Sequence, residues 1–93
     1  MTKARQEVGS RPLFYTEYND GLYTNPSYHD TPFASAFIIF NIQDVYGLPD
    51  IMSWWTFTDI FEEQGFNSQA YWGNWGLVNA YGVPKPSFRY RFF

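Results

Sequence analysis

The chain has 93 residues, a formal charge of −3 and an aromatic share of 24%, which bounds it to one small domain or part of a larger one. It has no Cys, hence no disulfide framework or thiolate metal site, and its single His29 cannot build a multi-His metal site alone. No basic stripe is present to suit a nucleic-acid backbone, and no apolar run approaches the ~20 residues of a membrane span.

Met1 to Val8 lacks the apolar region of a secretory signal and reads as the end of a surface helix. Gly9-Ser10-Arg11-Pro12 breaks it, with Gly suited to a helix C-terminus and Pro shortly after. Leu13 to Thr16 then reads as a strand, since aromatic and β-branched residues favour one. Glu17 stands at its exit, followed by the turn-formers Asn19-Asp20-Gly21. An ionised carboxylate is costly to bury unless paired, and in α/β barrels the C-terminal strand ends carry the catalytic groups. For this stretch alone, a carboxylate that caps a loop or faces solvent is the commoner meaning.

Asn19 to Asp30 is expected to be a loop, with Tyr18, Tyr23 and Tyr28 either lying over neighbouring loops or serving function. Asp30 or Thr31 can cap the next helix and Pro32 fits its first position. Phe33, Ala36, Phe37, Phe40 and Val45 recur at helical spacing, widened by Ile38, Ile39 and Ile42, which predicts a helix from about Pro32 to Val45. Gly47 and Pro49 stop it. So apolar a stripe needs a broad partner such as a sheet, and holds no cofactor box.

Ile51 to Phe57 reads as a second strand, apolar on both faces as in parallel sheets. Strand, helix and strand make a βαβ unit, which puts Glu17 and the Trp55-to-Glu63 region at one rim. Asp59, Glu62 and Glu63 fall within five positions beside Phe61 and Phe66. Carboxylates next to rings suit polyols, accepting from hydroxyls while rings cover CH faces; a solvated acidic loop is the commoner meaning of such a run. Phe66 to Gly82 reads as another loop, and Phe88 to Phe93 as the first turns of a helix.

Taken in order, Phe14-Tyr15-Thr16-Glu17-Tyr18-Asn19, His29-Asp30-Thr31-Pro32, Ser53-Trp54-Trp55-Thr56-Phe57-Thr58-Asp59, Phe61-Glu62-Glu63 and Pro84-Lys85-Pro86 resemble family 39 of the glycoside hydrolases. The likeness is to its β-xylosidase branch more than to its α-L-iduronidases. The resemblance implies an α/β fold, a (β/α)8 TIM barrel acting with retention on a carbohydrate substrate without a cofactor or metal. Residues 1–93 would be the C-terminal part of that catalytic domain. Leu13 to Thr16 would be strand seven, Pro32 to Val45 helix seven, Ile51 to Phe57 strand eight and the tail the start of helix eight. It places the family nucleophile on Glu17 and sugar contacts of subsite −1 on Trp55, Glu62 and Glu63. The family's acid/base follows an Asn, and no Asn-Glu pair occurs here. Where family xylosidases tend to have Phe-His-Gly-Gly-Phe-Gly, this chain has Tyr71-Trp72-Gly73-Asn74-Trp75-Gly76. Trp72 thus replaces a His, and Asn74 replaces a Gly in a turn that tolerates Asn if its backbone is left-handed.

Two other readings compete: a non-catalytic piece that completes a barrel, and a small aromatic carbohydrate-binding module. The module needs a flat exposed platform, whereas Trp54 and Trp55 are expected in a covered strand. A barrel takes about 250 residues, so its missing portion is expected upstream. No nucleic acid or membrane is expected as a partner.

Overall fold

The framework in the computed structural model, which describes residues 1–60 and 68–92, is the expected strand–helix–strand unit. Strand β1 (Phe14–Tyr18) and strand β2 (Ile51–Trp54) are hydrogen-bonded parallel neighbours. Between them run a short helix α2 (Pro26–His29) and the longer α3 (Pro32–Asp44). Helix α1 (Thr2–Val8) precedes β1, and a 3-10 helix over Pro86–Phe92 ends the described chain. No described helix is long and apolar enough to cross a membrane.

Local chemistry explains the boundaries. Gly9 ends α1 at φ 63°, a backbone region that favours glycine, and its N–H reaches the Arg5 carbonyl. Thr31 caps α3 through a hydroxyl that accepts from the Phe33 N–H, with Pro32 in the first turn. The same Thr31 hydroxyl donates to the Ser27 carbonyl at 2.9 Å, fastening α2 to α3. At the opposite pole, Arg5 donates to the Asp50 carboxylate at 2.7 Å, and that carboxylate also accepts from the Leu13 N–H at 2.8 Å. The Leu13 N–H first, then Arg5, hold the Asp50 carboxyl below its ordinary range. The start of β1 and the turn into β2 are thereby tied to α1.

Four expected boundaries shift. Strand β1 starts one residue later than expected and continues to Tyr18, so Glu17 lies within it and not after it. Strand β2 ends at Trp54 and not at Phe57. Beyond β1's end the backbone of 56–59 finds other partners. Thr56 N–H reaches the Trp75 carbonyl, Val78 N–H the Phe57 carbonyl, and Asp59 N–H the Val78 carbonyl. The Trp55–Thr56 peptide is cis. Asn19–Asp30 contains a helical turn, because Asn25 caps Ser27 through its side chain and Pro26 fits the first position. The tail is a 3-10 helix.

The helix α3 also departs from the simple picture. It packs along the 3-10 helix, with Phe37 edge-on to Trp54 at 6.4 Å. Only Ala34, Ser35 and Ile38 are buried on it, while Phe33, Phe40 and Ile42 remain exposed. Its apolar residues surround it, a distribution suited to a helix enclosed on several sides. Phe14 and Ile51 on the two strands are each more than half exposed. The expected cover on both strand faces is therefore not supplied by the described residues.

Among the described residues each strand has one neighbour, and unpaired apolar edges template aggregation. Expressed alone, the 93-residue chain is expected to be insoluble or molten, with ANS binding and no sharp melt. A soluble monomer with a cooperative thermal transition would contradict this.

Candidate active site

The rim is formed where the two strands end. Between Tyr15 and Tyr18 the pairing slips. Tyr15 faces Met52 and Tyr18 faces Trp54, so Thr16 and Glu17 oppose Ser53 alone. Such a bulge re-aims a side chain, and both Thr16 and Glu17 are exposed where alternation would have turned one inward. Immediately after Glu17, Tyr18 accepts the Trp55 N–H through its carbonyl at 2.9 Å, and its ring meets Trp54 edge-on at 5.4 Å. Trp54 donates its indole N–H to the Trp75 carbonyl at 2.9 Å, and the Trp55 and Trp75 rings lie 5.6 Å apart. Glu17 and half-buried Trp55 thus share one rim backed by Trp75, which is 3% exposed. Glu62 and Glu63 lie outside the described residues. Trp72 is partly exposed, but the other indoles pack inward or against each other and make no flat platform.

Beneath the rim, Lys85 is wholly buried. Its ammonium contacts Asp30 at 2.6 Å, Asp59 at 3.1 Å and the Asn74 carbonyl at 2.6 Å. The carboxylates are completed by backbone donors: Gly73 N–H to Asp30 at 2.6 Å and Gly76 N–H to Asp59 at 2.7 Å. Burial pushes the Asp59 carboxyl above its ordinary range despite Lys85. Asp59 therefore does not join an acidic sugar-facing run; it is taken up by the interior. Neither Asp59 nor Lys85 was legible as a buried partner, because their pairing joins residues 26 positions apart and leaves no local pattern.

A second buried pair stands beside it. His29 Nε2 lies 2.8 Å from an Asp20 oxygen, and both side chains are essentially inaccessible. His29 Nδ1 faces the Gly73 carbonyl, and the ring lies 5.3 Å from that of Trp75. Burial alone would lower the His29 pKa; the Asp20 carboxylate and the Gly73 carbonyl outweigh it and raise it above 6.5. Trp75 donates its indole N–H to the Gly21 carbonyl at 2.6 Å, closing the loop after β1 onto the 73–76 turn.

The 73–76 turn leaves no room for larger residues at two places. A side chain at Gly73 would collide with the backbone of Asn25 and Pro26, and one at Gly76 with Asp59. Gly73 takes the left-handed conformation at φ 80°, while Asn74 does not. The turn therefore does not depend on Asn tolerating that region. Among the described residues, no three ligating side chains converge as a metal site.

The whole chain, residues 1–93, matches the family described as "Glycosyl hydrolases family 39". The chain belongs to that family. It is 47% identical over 90 residues to a β-xylosidase of Caldicellulosiruptor saccharolyticus, a match covering 96% of this chain and 18% of that protein. With a β-xylosidase of Geobacillus stearothermophilus it shares 36% identity over 77 residues, covering 83% of this chain and 15% of the relative. The fold superposes with a TM-score of 0.87 on a monomeric β-xylosidase from Caulobacter crescentus CB15, at 34% identity and covering 96% of this chain and 19% of that one. A family 39 enzyme from Xanthomonas axonopodis pv. citri gives a TM-score of 0.87 at 31% identity, covering 97% of this chain and 19% of the other. The chain thus spans less than a fifth of the length of these relatives and is a small α/β part of their family's fold.

Within a family 39 protein carrying this segment, removing Lys85 strands two buried carboxylates. Breaking a buried pair in this way typically costs about 3–5 kcal/mol. Lys85→Met is expected to lower the denaturant midpoint strongly, and adding Asp59→Asn to recover part of the loss. Equal midpoints for Lys85→Met and the unsubstituted protein would rule out the cluster as a structural tie.

Proposed function

We propose that this chain forms the last two strand–helix units of a (β/α)8 catalytic barrel in a retaining glycoside hydrolase acting on β-xylosides. In this reading residues 1–93 are part of the catalytic domain. β1 is strand seven, α3 helix seven, β2 strand eight and the 3-10 helix the start of helix eight; the preceding units lie upstream. The observation that carries it is an exposed carboxylate, Glu17, re-aimed by a bulge at the C-terminal end of a parallel strand. Catalytic groups of such barrels gather at that rim. The β-xylosidases among the relatives supply the substrate class.

The chemistry follows from two carboxyl groups about 5–5.5 Å apart. Glu17, ionised, attacks the anomeric carbon and forms a glycosyl ester while the C–O bond to the leaving group breaks. A second carboxyl, contributed by the upstream units, gives its proton to the departing oxygen. It then takes a proton from the water that cleaves the ester, restoring both groups and the original anomeric configuration. Trp55 covers an apolar sugar face beside Glu17. Glu62 and Glu63 accept from sugar hydroxyls. The open edges of β1 and β2 and the exposed apolar side of α3 meet the neighbouring units of the barrel.

The isolated chain lacks the acid/base carboxyl, and general acid–base assistance is worth about 10²–10⁴ in rate. No measurable hydrolysis of an aryl β-xyloside by the chain alone is expected. Turnover that Glu17→Gln abolishes would contradict the need for a second carboxyl from elsewhere.

In the intact enzyme, Glu17→Ala opens a cavity opposite the leaving group. Azide can enter and attack the anomeric carbon directly, one displacement in place of two. An activated β-xyloside should therefore give the α-glycosyl azide, identified by proton NMR. An acid/base at this position would instead leave the first displacement intact and let azide intercept the glycosyl-enzyme as a β-product. A β-azide, or near-full activity without azide, would remove Glu17 from the nucleophile role.

A further inference from the structure

We propose that Asp20 and His29 act as a positioning pair that, through the Trp75 ring, fixes the pose of Trp55 beside Glu17 and so sets how the sugar is held. The proposal rests on the reading of this rim as the glycone site. It adds two residues to that site which touch neither sugar nor reacting atoms.

The geometry makes a continuous path. Asp20 follows β1 by two residues, on the loop that leaves Glu17. Its carboxylate is fully buried and meets His29 Nε2 at 2.8 Å. The His29 ring packs at 5.3 Å from Trp75, whose ring lies 5.6 Å from Trp55. Trp75 is held from three sides: its indole N–H by Gly21, and its carbonyl by both the Trp54 indole and the Thr56 N–H. Gly21 adjoins Asp20, so the loop that carries the pair also grips the Trp75 ring.

The pair is also proton-dependent on donor and acceptor grounds alone. His29 Nδ1 faces a carbonyl and Nε2 faces a carboxylate, two acceptors with nothing to donate. Both contacts are favourable together only when the ring carries two protons. The charged groups around it do not supply an alternative. Asp30, the next residue, is taken up by Lys85 and the Gly73 N–H, and Lys85 is shared with Asp59. Losing one ring proton would therefore set a nitrogen lone pair against the buried Asp20 carboxylate and loosen the loop from Trp75. The raised His29 pKa is in keeping with this arrangement.

The test uses the intact enzyme, with tryptophan fluorescence followed from about pH 5 to about pH 9, the span in which His titrates. A protonated imidazole quenches an adjacent indole, so a transition with its midpoint above 6.5 is expected. It should vanish in His29→Gln and in Trp75→Phe. Asp20→Asn removes the charge and offers an amide N–H donor to an unprotonated Nε2, so there the midpoint should fall below that of the unsubstituted enzyme. For 4-nitrophenyl β-xyloside, His29→Gln should raise KM about tenfold, the scale of one mispaired buried group, with kcat within about threefold. Asp20→Asn should retain near-native KM at a pH where its His29 is neutral, a rescue that general destabilisation would not give.

An unmoved midpoint in Asp20→Asn would overturn the pairing, and an unchanged KM in His29→Gln would overturn the positioning role. The fluorescence arm needs no turnover. If the enzyme failed to cleave β-xylosides while the midpoints moved as stated, the reading of the rim would fail and the Asp20–His29–Trp75 coupling would stand.

Discussion

The ammonium of Lys85 is the constraint on which the rest of the described structure depends. One buried cation joins Asp30 at the head of α3, Asp59 after β2 and the carbonyl of Asn74 in the 73–76 turn. A lysine has three donors and no acceptor, and all its directions are used on three separate segments. Those segments share little apolar burial, since the buried apolar core among the described residues is Ala34, Ile38 and Trp75. Such a small core gives polar pairing unusual weight. It also makes the arrangement specific, because Asp30 and Asp59 each need the same cation and each is also fixed by one backbone N–H.

Local chemistry made the framework legible in the sequence. The Thr31-Pro32 start of α3, the Gly9 stop of α1 and the parallel pairing of the two apolar runs all follow from caps, backbone preferences and composition. What local patterns do not carry is pairing across distance. Lys85 lies between two prolines and reads as a loop lysine, yet its partners are 55 and 26 residues away. Asp59 reads as one of an acidic run, yet its environment differs wholly from a solvated loop. That one imidazole cannot make a metal site says nothing of the pairing of His29 with Asp20, nine residues away. The one signal available was composition. A lone His and few Lys in an aromatic-rich chain make each buried cation a candidate for pairing with a carboxylate.

The bulge in β1 shows how little is needed to place the proposed nucleophile. With regular pairing, successive side chains alternate between faces, and Tyr15 and Glu17 would share a side. The extra residue opposite Ser53 breaks that parity just before the strand ends. Glu17 can then turn outward at the rim while Tyr15 and Tyr18 stay half-buried on either side of the slip. No residue-level pattern in the stretch from Leu13 to Tyr18 announces the slip, because it is a property of the pair of strands. Just beyond it the β2 ladder runs out at Trp54, and the backbone of 56–59 turns to the 75–78 segment.

The electrostatics of the rim follow from this interior. Asp20, Asp30 and Asp59 are three buried carboxylates facing the Lys85 ammonium and the His29 imidazole. The Asp59 charge is therefore spent inside the cluster, and the field at the proposed sugar site comes from Glu17 and the remaining carboxylates. An anionic sugar would still approach a carboxylate that must be ionised to attack, and two unit charges at about 4 Å repel by about 4 kcal/mol at the dielectric of a protein surface. A neutral pentose meets no such barrier. Lys85, sealed below the rim by Asp30 and Asp59, is not available to cancel that repulsion.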